Sequence, residues 1–149
     1  HLVQVDAADI EILRTTGTGV AHSPLSNARH GHGSAPVAAL RAAGVGVGLG
    51  TDSVVSVGRL DLFAEMRAAV ALLGAGPEAG LELATTGGAA LAGVAADTGR
   101  LAPGFHADVI AVGLPDGVDV TGVAGALVAA SPSAVLATRV GGRLAYRRA

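Results

Sequence analysis

The sequence contains no cysteine, no lysine and no tryptophan. Without cysteine there is no disulfide framework, no thiolate metal site and no cysteine nucleophile. Without lysine there is no Walker-type phosphate loop, so the glycine-rich string HGHGS (31–34 with His30) is a poor phosphate cradle. All ten basic residues are arginine, only 15% of residues are charged and the formal net charge is −2, which argues against a nucleic-acid-binding face and against a charged disordered tail. Aromatic residues make up only 2%. No uninterrupted apolar run reaches the ~18 residues of a membrane-spanning helix, and the start of the chain does not read as a signal peptide. What is abundant is small: Gly contributes 23 of 149 residues and Ala 32, a bias that GC-rich codons explain without invoking function. Half the residues are hydrophobic, enough for one domain with a buried core. The chain opens on His1 and not Met, and is expected to be a piece of a longer protein.

The first half alternates helix and strand signals. Asp6 is a plausible cap for a helix over Asp6–Thr16 that Gly17 ends, and Thr18–Ala21 reads as a short strand. The polar string HSPLSNARHGHGS then reads as turn and loop. Pro36 is placed just inside a helix running to about Ala43, Gly44 stops it, and Val45–Leu49 is a fully apolar strand suited to a parallel sheet. Gly50–Ser53 is a loop, and Arg59–Leu73 is the strongest helix, with Leu62, Phe63, Met66, Val70 and Leu73 on one side. This order predicts a parallel α/β sheet, open or closed into a (β/α)8 barrel, with chemistry beyond the carboxyl ends of the strands. Further on, Glu78–Ala92 reads as one or two short helices, and Ala107–Val112 and Ala134–Val140 as strands. Gly141-Gly142 reads as a hairpin turn into Arg143–Arg147, and Gly113–Ser133 has no assignable period.

Asp52 and His22 fall at the ends of two successive strands, and His1 would fall at the end of a third. Asp52 reads either as a turn or capping aspartate or as a carboxylate able to ligate a metal and accept a proton from water. His22 reads either as a hydrogen-bonded histidine that orients its loop or as a substrate contact. Ser26 and Asn27 read as turn and capping residues, since nothing resembles the nucleophile elbow of a serine hydrolase. His30 and His32 could share a metal by spacing, but their glycine-flanked loop suits substrate or solvent better. His106 reads as a surface turn, Glu65 and Arg67 as a solvated or packing pair, and Arg143, Arg147 and Arg148 as a solvated basic patch.

Taken in order, the strings DIEIL, TGTGVAHSPLSN, APVAALRAAGVGVGLGTDS, LDLFAEMRAA, LATTGGAALAG, TGRLAPGFHADVIAV and TRVGGRLAYRR resemble the amidohydrolase superfamily, in its nucleobase and nucleoside deaminase and chlorohydrolase branch. The resemblance implies an α/β fold, the C-terminal part of a (β/α)8 barrel (strands 6–8) over residues 1–95, followed by strands of a small β-sandwich over residues 96–149. It implies that Asp52 is the metal-binding, proton-handling aspartate after the eighth strand. It implies that His1 is the histidine after the sixth strand, beside the attacking water. Ser53 and His22 match positions near the substrate. Ser23 stands where cysteine or asparagine is common, and Gln4 where a second histidine is frequent. The family's H-x-H pair, its further metal histidine and its catalytic glutamate have no counterpart in this chain, which therefore resembles the C-terminal third of such an enzyme.

The activity so implied is hydrolytic deamination with one divalent ion, Zn or Fe. The implied substrate is a small adenine-type nucleoside such as 6-aminodeoxyfutalosine of menaquinone synthesis, S-adenosylhomocysteine or methylthioadenosine, with guanine deaminase and triazine hydrolase activities as further alternatives within the enzyme class. Arg29 and His30 could meet a substrate carboxylate. A cytoplasmic homo-oligomer with neither nucleic-acid nor membrane partner is the expectation for the intact enzyme. The competing expectation is a short non-catalytic module or assembly partner of the same ancestry.

Overall fold

Asp6 fixes where the first helix begins. Its carboxylate accepts from the amides of Ala8 (2.8 Å) and Asp9 (3.0 Å), while Asp9 accepts from the Asp6 amide at 3.0 Å, a reciprocal cap that satisfies N–H groups the helix cannot bond internally. In the computed structural model, which describes all of His1–Ala149, this helix (α1) spans Ala7–Thr16 and ends at Gly17 with φ +66°. Strand β1 (Val20–His22), helices α2 (Pro24–Arg29) and α3 (Val37–Ala42), and strand β2 (Val47–Leu49) follow. β1 and β2 pair in parallel, Val20 opposite Val47 and His22 opposite Leu49.

The segment expected to be loop after His22 thus contains a helix, α2. Pro24 occupies its first turn, where a missing N–H costs no bond. Pro36, expected inside the next helix, is instead the residue that precedes it, with ψ +57°. The parallel sheet holds two strands and not three. Residues 1–6 form no strand, so His1 approaches the end of β1 from a coil.

Helices cover both faces of this pair. On one face Val20 and Val47 pack with Val37 and Leu40 of α3 and with Ala69 in a single buried cluster, to which Ile10 and Leu13 of α1 add partly buried surface. Leu40 is 0% exposed, a burial that contributes roughly 1.5–3 kcal/mol. On the other face the strands carry glycine. A Cβ at Gly48 would lie 2.8 Å from the Gly88 nitrogen and 2.9 Å from the Gly87 carbonyl carbon, and one at Gly19 would overlap the Leu91 side chain. The chain lying there runs from α6 (Pro77–Glu82) through a π-helical turn (Leu83–Gly87) into α7 (Gly88–Leu91), counting α4 (Val54–Val57) and α5 (Leu62–Leu73) before it.

α5 starts three residues later than the apolar pattern implies. Gly58 ends α4 at φ +82°, and Asp61 caps α5 by accepting from the Ala64 amide at 3.0 Å. Phe63 and Met66 of α5 meet Val128, the buried residue of α8 (Val123–Ala129), along with partly buried Val112 and Val135. This contact explains why α8 escapes a reading of periodicity. Its sequence is Ala/Gly/Val-rich with no capping side chain, and its last carbonyls are satisfied from outside, by Arg67 Nη1 donating to the Val128 oxygen (3.2 Å) and the Ala130 oxygen (2.5 Å).

Strands β3 (Val109–Val112), β4 (Val135–Val140) and β5 (Arg143–Arg147) form a separate antiparallel sheet in that order. The expected hairpin at Gly141-Gly142 is present, with φ +54° and +78°, the mirror-image turn that matches strand twist. Asp108 ties the sheet to the preceding turn, accepting from Thr98 Oγ1 (2.9 Å) and from the Gly141 amide (2.7 Å). No helix is long and apolar enough to cross a membrane.

Candidate functional site

The chain turns sharply after β2, and Asp52 takes φ +57°, a left-handed conformation uncommon for a residue with a side chain. From there its carboxylate reaches back over the end of β1. Oδ1 accepts from the Ser53 amide at 2.7 Å, and Oδ2 accepts from Ser26 Oγ at 2.6 Å. His1 Nε2 lies 3.3 Å from the same Oδ2, and its other ring nitrogen, Nδ1, is 2.6 Å from Asn27 Oδ1. His1 and Asp52, predicted to share a site from positions 51 residues apart, are therefore in contact. The Ser26 hydroxyl and Ser53 amide hold the Asp52 carboxyl below the usual carboxylate range, with a smaller pull from His30, so it is ionised at neutral pH.

Ser26 and Asn27 are the residues that sequence reasoning undervalued. Both are 1% exposed and both touch the site, one through Asp52 and one through His1. Their signal was available only as helical spacing: once α2 is a helix, two consecutive polar residues on its buried side call for polar partners.

The remaining candidates divide. Ser53 caps α4, its Oγ accepting from the Ser56 amide at 3.2 Å, while its own amide steadies Asp52. His22 is buried and touches neither Asp52 nor His1 by hydrogen bond or ion pair. Neither of its ring nitrogens has a partner, and it lines a 330 Å³ cavity together with Asn27, Gly31, Gly33, Ser34 and Leu72. The expectation that His22 is hydrogen-bonded is thus not met, and burial lowers its pKa to about 4, leaving the ring neutral. Arg29 and His30 face different neighbours. The Arg29 guanidinium packs 3.2 Å from where a Cβ on Gly58 would be and lines a 460 Å³ cavity with Arg59 and Asp61, whereas His30 stacks on His32.

Glu65 and Arg67 do not pair with each other. Glu65 is buried and accepts from the Leu25 amide at 3.1 Å, with burial raising its pKa, while Arg67 serves the end of α8. His106 is exposed, directly after the turn at 103–105. Of the terminal arginines, Arg148 donates to the Ser133 oxygen at 2.7 Å.

No three His, Asp or Glu side chains are arranged to hold a metal ion. Asp52, an ionised and partly exposed carboxylate, has the chemistry of a divalent-ion donor, and one such donor is not a complete set.

The comparison with protein families agrees with this picture: the amidohydrolase family model matches residues 1–144, and the chain belongs to that family. A 5-methylthioadenosine/S-adenosylhomocysteine deaminase of Haloarcula marismortui is 46% identical over 123 residues, covering 76% of this chain and 28% of that protein. A 5'-deoxyadenosine deaminase of Methanosarcina mazei is 41% identical over 120 residues, covering 75% and 27%. Among solved structures, an adenosine deaminase of Xanthomonas campestris with bound zinc superposes with TM-score 0.85 at 28% identity, over 97% of this chain and 35% of that one. The chain thus spans between a quarter and two fifths of the length of such proteins.

Proposed function

We propose that the whole protein is a metal-dependent hydrolytic deaminase of an adenine-type nucleoside, of which these residues form the C-terminal part. The observation that carries this reading is the contact of His1 with Asp52 beyond the ends of parallel strands, fixed by Asn27 and Ser26. In this reading β1 and β2 are the seventh and eighth strands of a (β/α)8 barrel, His1 stands at the end of the sixth, and residues 96–149 belong to a small β-sandwich. The strand edge of β1 without a partner and the share of the relatives' length support it.

A divalent ion such as zinc, held in part by Asp52, would supply a more acidic water at neutral pH. The chain's own residues do the rest of what can be assigned here. Asp52, ionised and held by Ser26 and Ser53, accepts the proton of the water that attacks the amino-bearing carbon and passes it to the departing ammonia. His1, oriented by Asn27, polarises that water and faces the oxygen as it gains charge. His22 and Ser53 shape the surroundings, and Arg29 stands where the substrate's far end would come.

The relatives' substrates set the test. The full-length protein loaded with zinc is expected to release ammonia from S-adenosylhomocysteine, methylthioadenosine or 5'-deoxyadenosine. No release from any of them, with zinc bound, overturns the reading.

A further inference from the structure

The loop after α2 carries a feature that the acid–base chemistry leaves unused. The imidazoles of His30 and His32 are stacked, with centroids 5.4 Å apart and planes 22° from parallel. The His32 ring in turn meets the His1 ring edge-on, 6.5 Å away at 89°. Both histidines are exposed, and neither ring makes a hydrogen bond or ion pair. Gly31 (φ +65°) and Gly33 (φ +97°) set the turns around them.

Flat rings are scarce in this chain. Phe63 is in the core, Phe105 lies under the Arg100 guanidinium at 5.3 Å, and Tyr146 is on β5. The imidazoles are therefore the site's only ring system. Sharing a metal would require both rings to turn their edges toward one point, which near-parallel stacking opposes, and no third donor joins them. A stacked pair without partners, beside the groups that handle the proton, is suited instead to a flat ligand.

We propose that the His30–His32 stack is the shelf on which the purine ring of the substrate lies, holding its reacting carbon toward Asp52 and His1. This rests on the adenine-nucleoside reading and makes His30 and His32 determinants of ring binding, not of proton transfer. Stacking needs a ring face and not a ring nitrogen, so phenylalanine can replace histidine while alanine cannot.

The test uses the full-length protein and two readouts. In the first, KM and kcat are measured for adenine nucleosides with His32→Ala, His32→Phe and His30→Ala. The expected result is an about tenfold rise in KM for both alanine variants, kcat within about threefold, and near-normal values for His32→Phe. In the second, binding of 2-aminopurine riboside is followed by the quenching of its fluorescence on stacking. Affinity should fall about tenfold in His32→Ala and hold in His32→Phe. A His32→Phe protein as impaired as His32→Ala, or an unchanged His32→Ala protein, overturns the shelf. Ring-dependent quenching in a wild-type protein that deaminates no adenine nucleoside overturns the deaminase reading and leaves the shelf standing.

Discussion

Asp52 combines an unusual backbone with an ordinary side-chain chemistry, and that combination makes it testable. Asparagine tolerates the left-handed conformation at φ +57° and keeps the shape, while losing the charge. Asp52→Asn in the full-length protein is therefore expected to fold and to lose roughly 10²–10⁴ in turnover, measured as ammonia release beside a melting curve that stays in place. His22 gives a second prediction. Its pKa, pushed down to about 4 by burial, lies below the unfolded value, so the neutral form is the one the fold prefers. The stability this contributes is fully present above about pH 6.5 and is lost as pH falls toward 4, by ~3 kcal/mol. Urea unfolding across that range should show the loss, and His22→Asn should flatten it. The sequence suggested Asp52 because the apolar run and glycines before it mark a strand end, and the fold brings His1 into contact with it. It could not show that His22 lacks partners, because side-chain satisfaction depends on what the fold brings alongside.

At the scale of elements, local signals account for α1, α5 and the Gly141-Gly142 hairpin, where caps and glycines act over a few residues. They fail for α2 and α8. In α2 the polar residues that read as loop face inward to the site, and in α8 the stabilising contacts come from Phe63, Met66 and Arg67, 61 or more residues away in sequence. The close approach of β2 to the π-helical turn is likewise invisible until the chain is folded. Its prediction is sharp: Gly48→Ala places a methyl against the backbone of Gly87 and Gly88, and should destabilise by about 1–3 kcal/mol or more. Ala at Gly125, inside α8 where nothing lies within 4 Å, is the control and should raise stability by up to about 1 kcal/mol.

For the whole molecule, family membership and the parallel pair carry the reading that this is one part of a larger catalytic unit. No three side chains of this chain are arranged to hold a metal, so the 149 residues by themselves are expected to bind zinc weakly and to turn over no adenine nucleoside. Robust deamination by a metal-loaded preparation of this chain alone, free of contaminants, would show that the missing donors are dispensable.

The glycine-lined face of the parallel pair bears on how this gene can vary. Glycine is read from codons beginning GG, and any single change at either of those two bases that keeps an amino acid installs a side chain. At twelve of the 23 glycines a positive φ resists such drift even where space is open, and Gly125 alone combines an ordinary φ with nothing within 4 Å. At Gly48 and Gly87 the opposing backbone sets it instead, because a new carbon there would lie 2.5–2.9 Å from peptide atoms. In a gene whose composition looks like mutational pressure, those two codons are held by geometry.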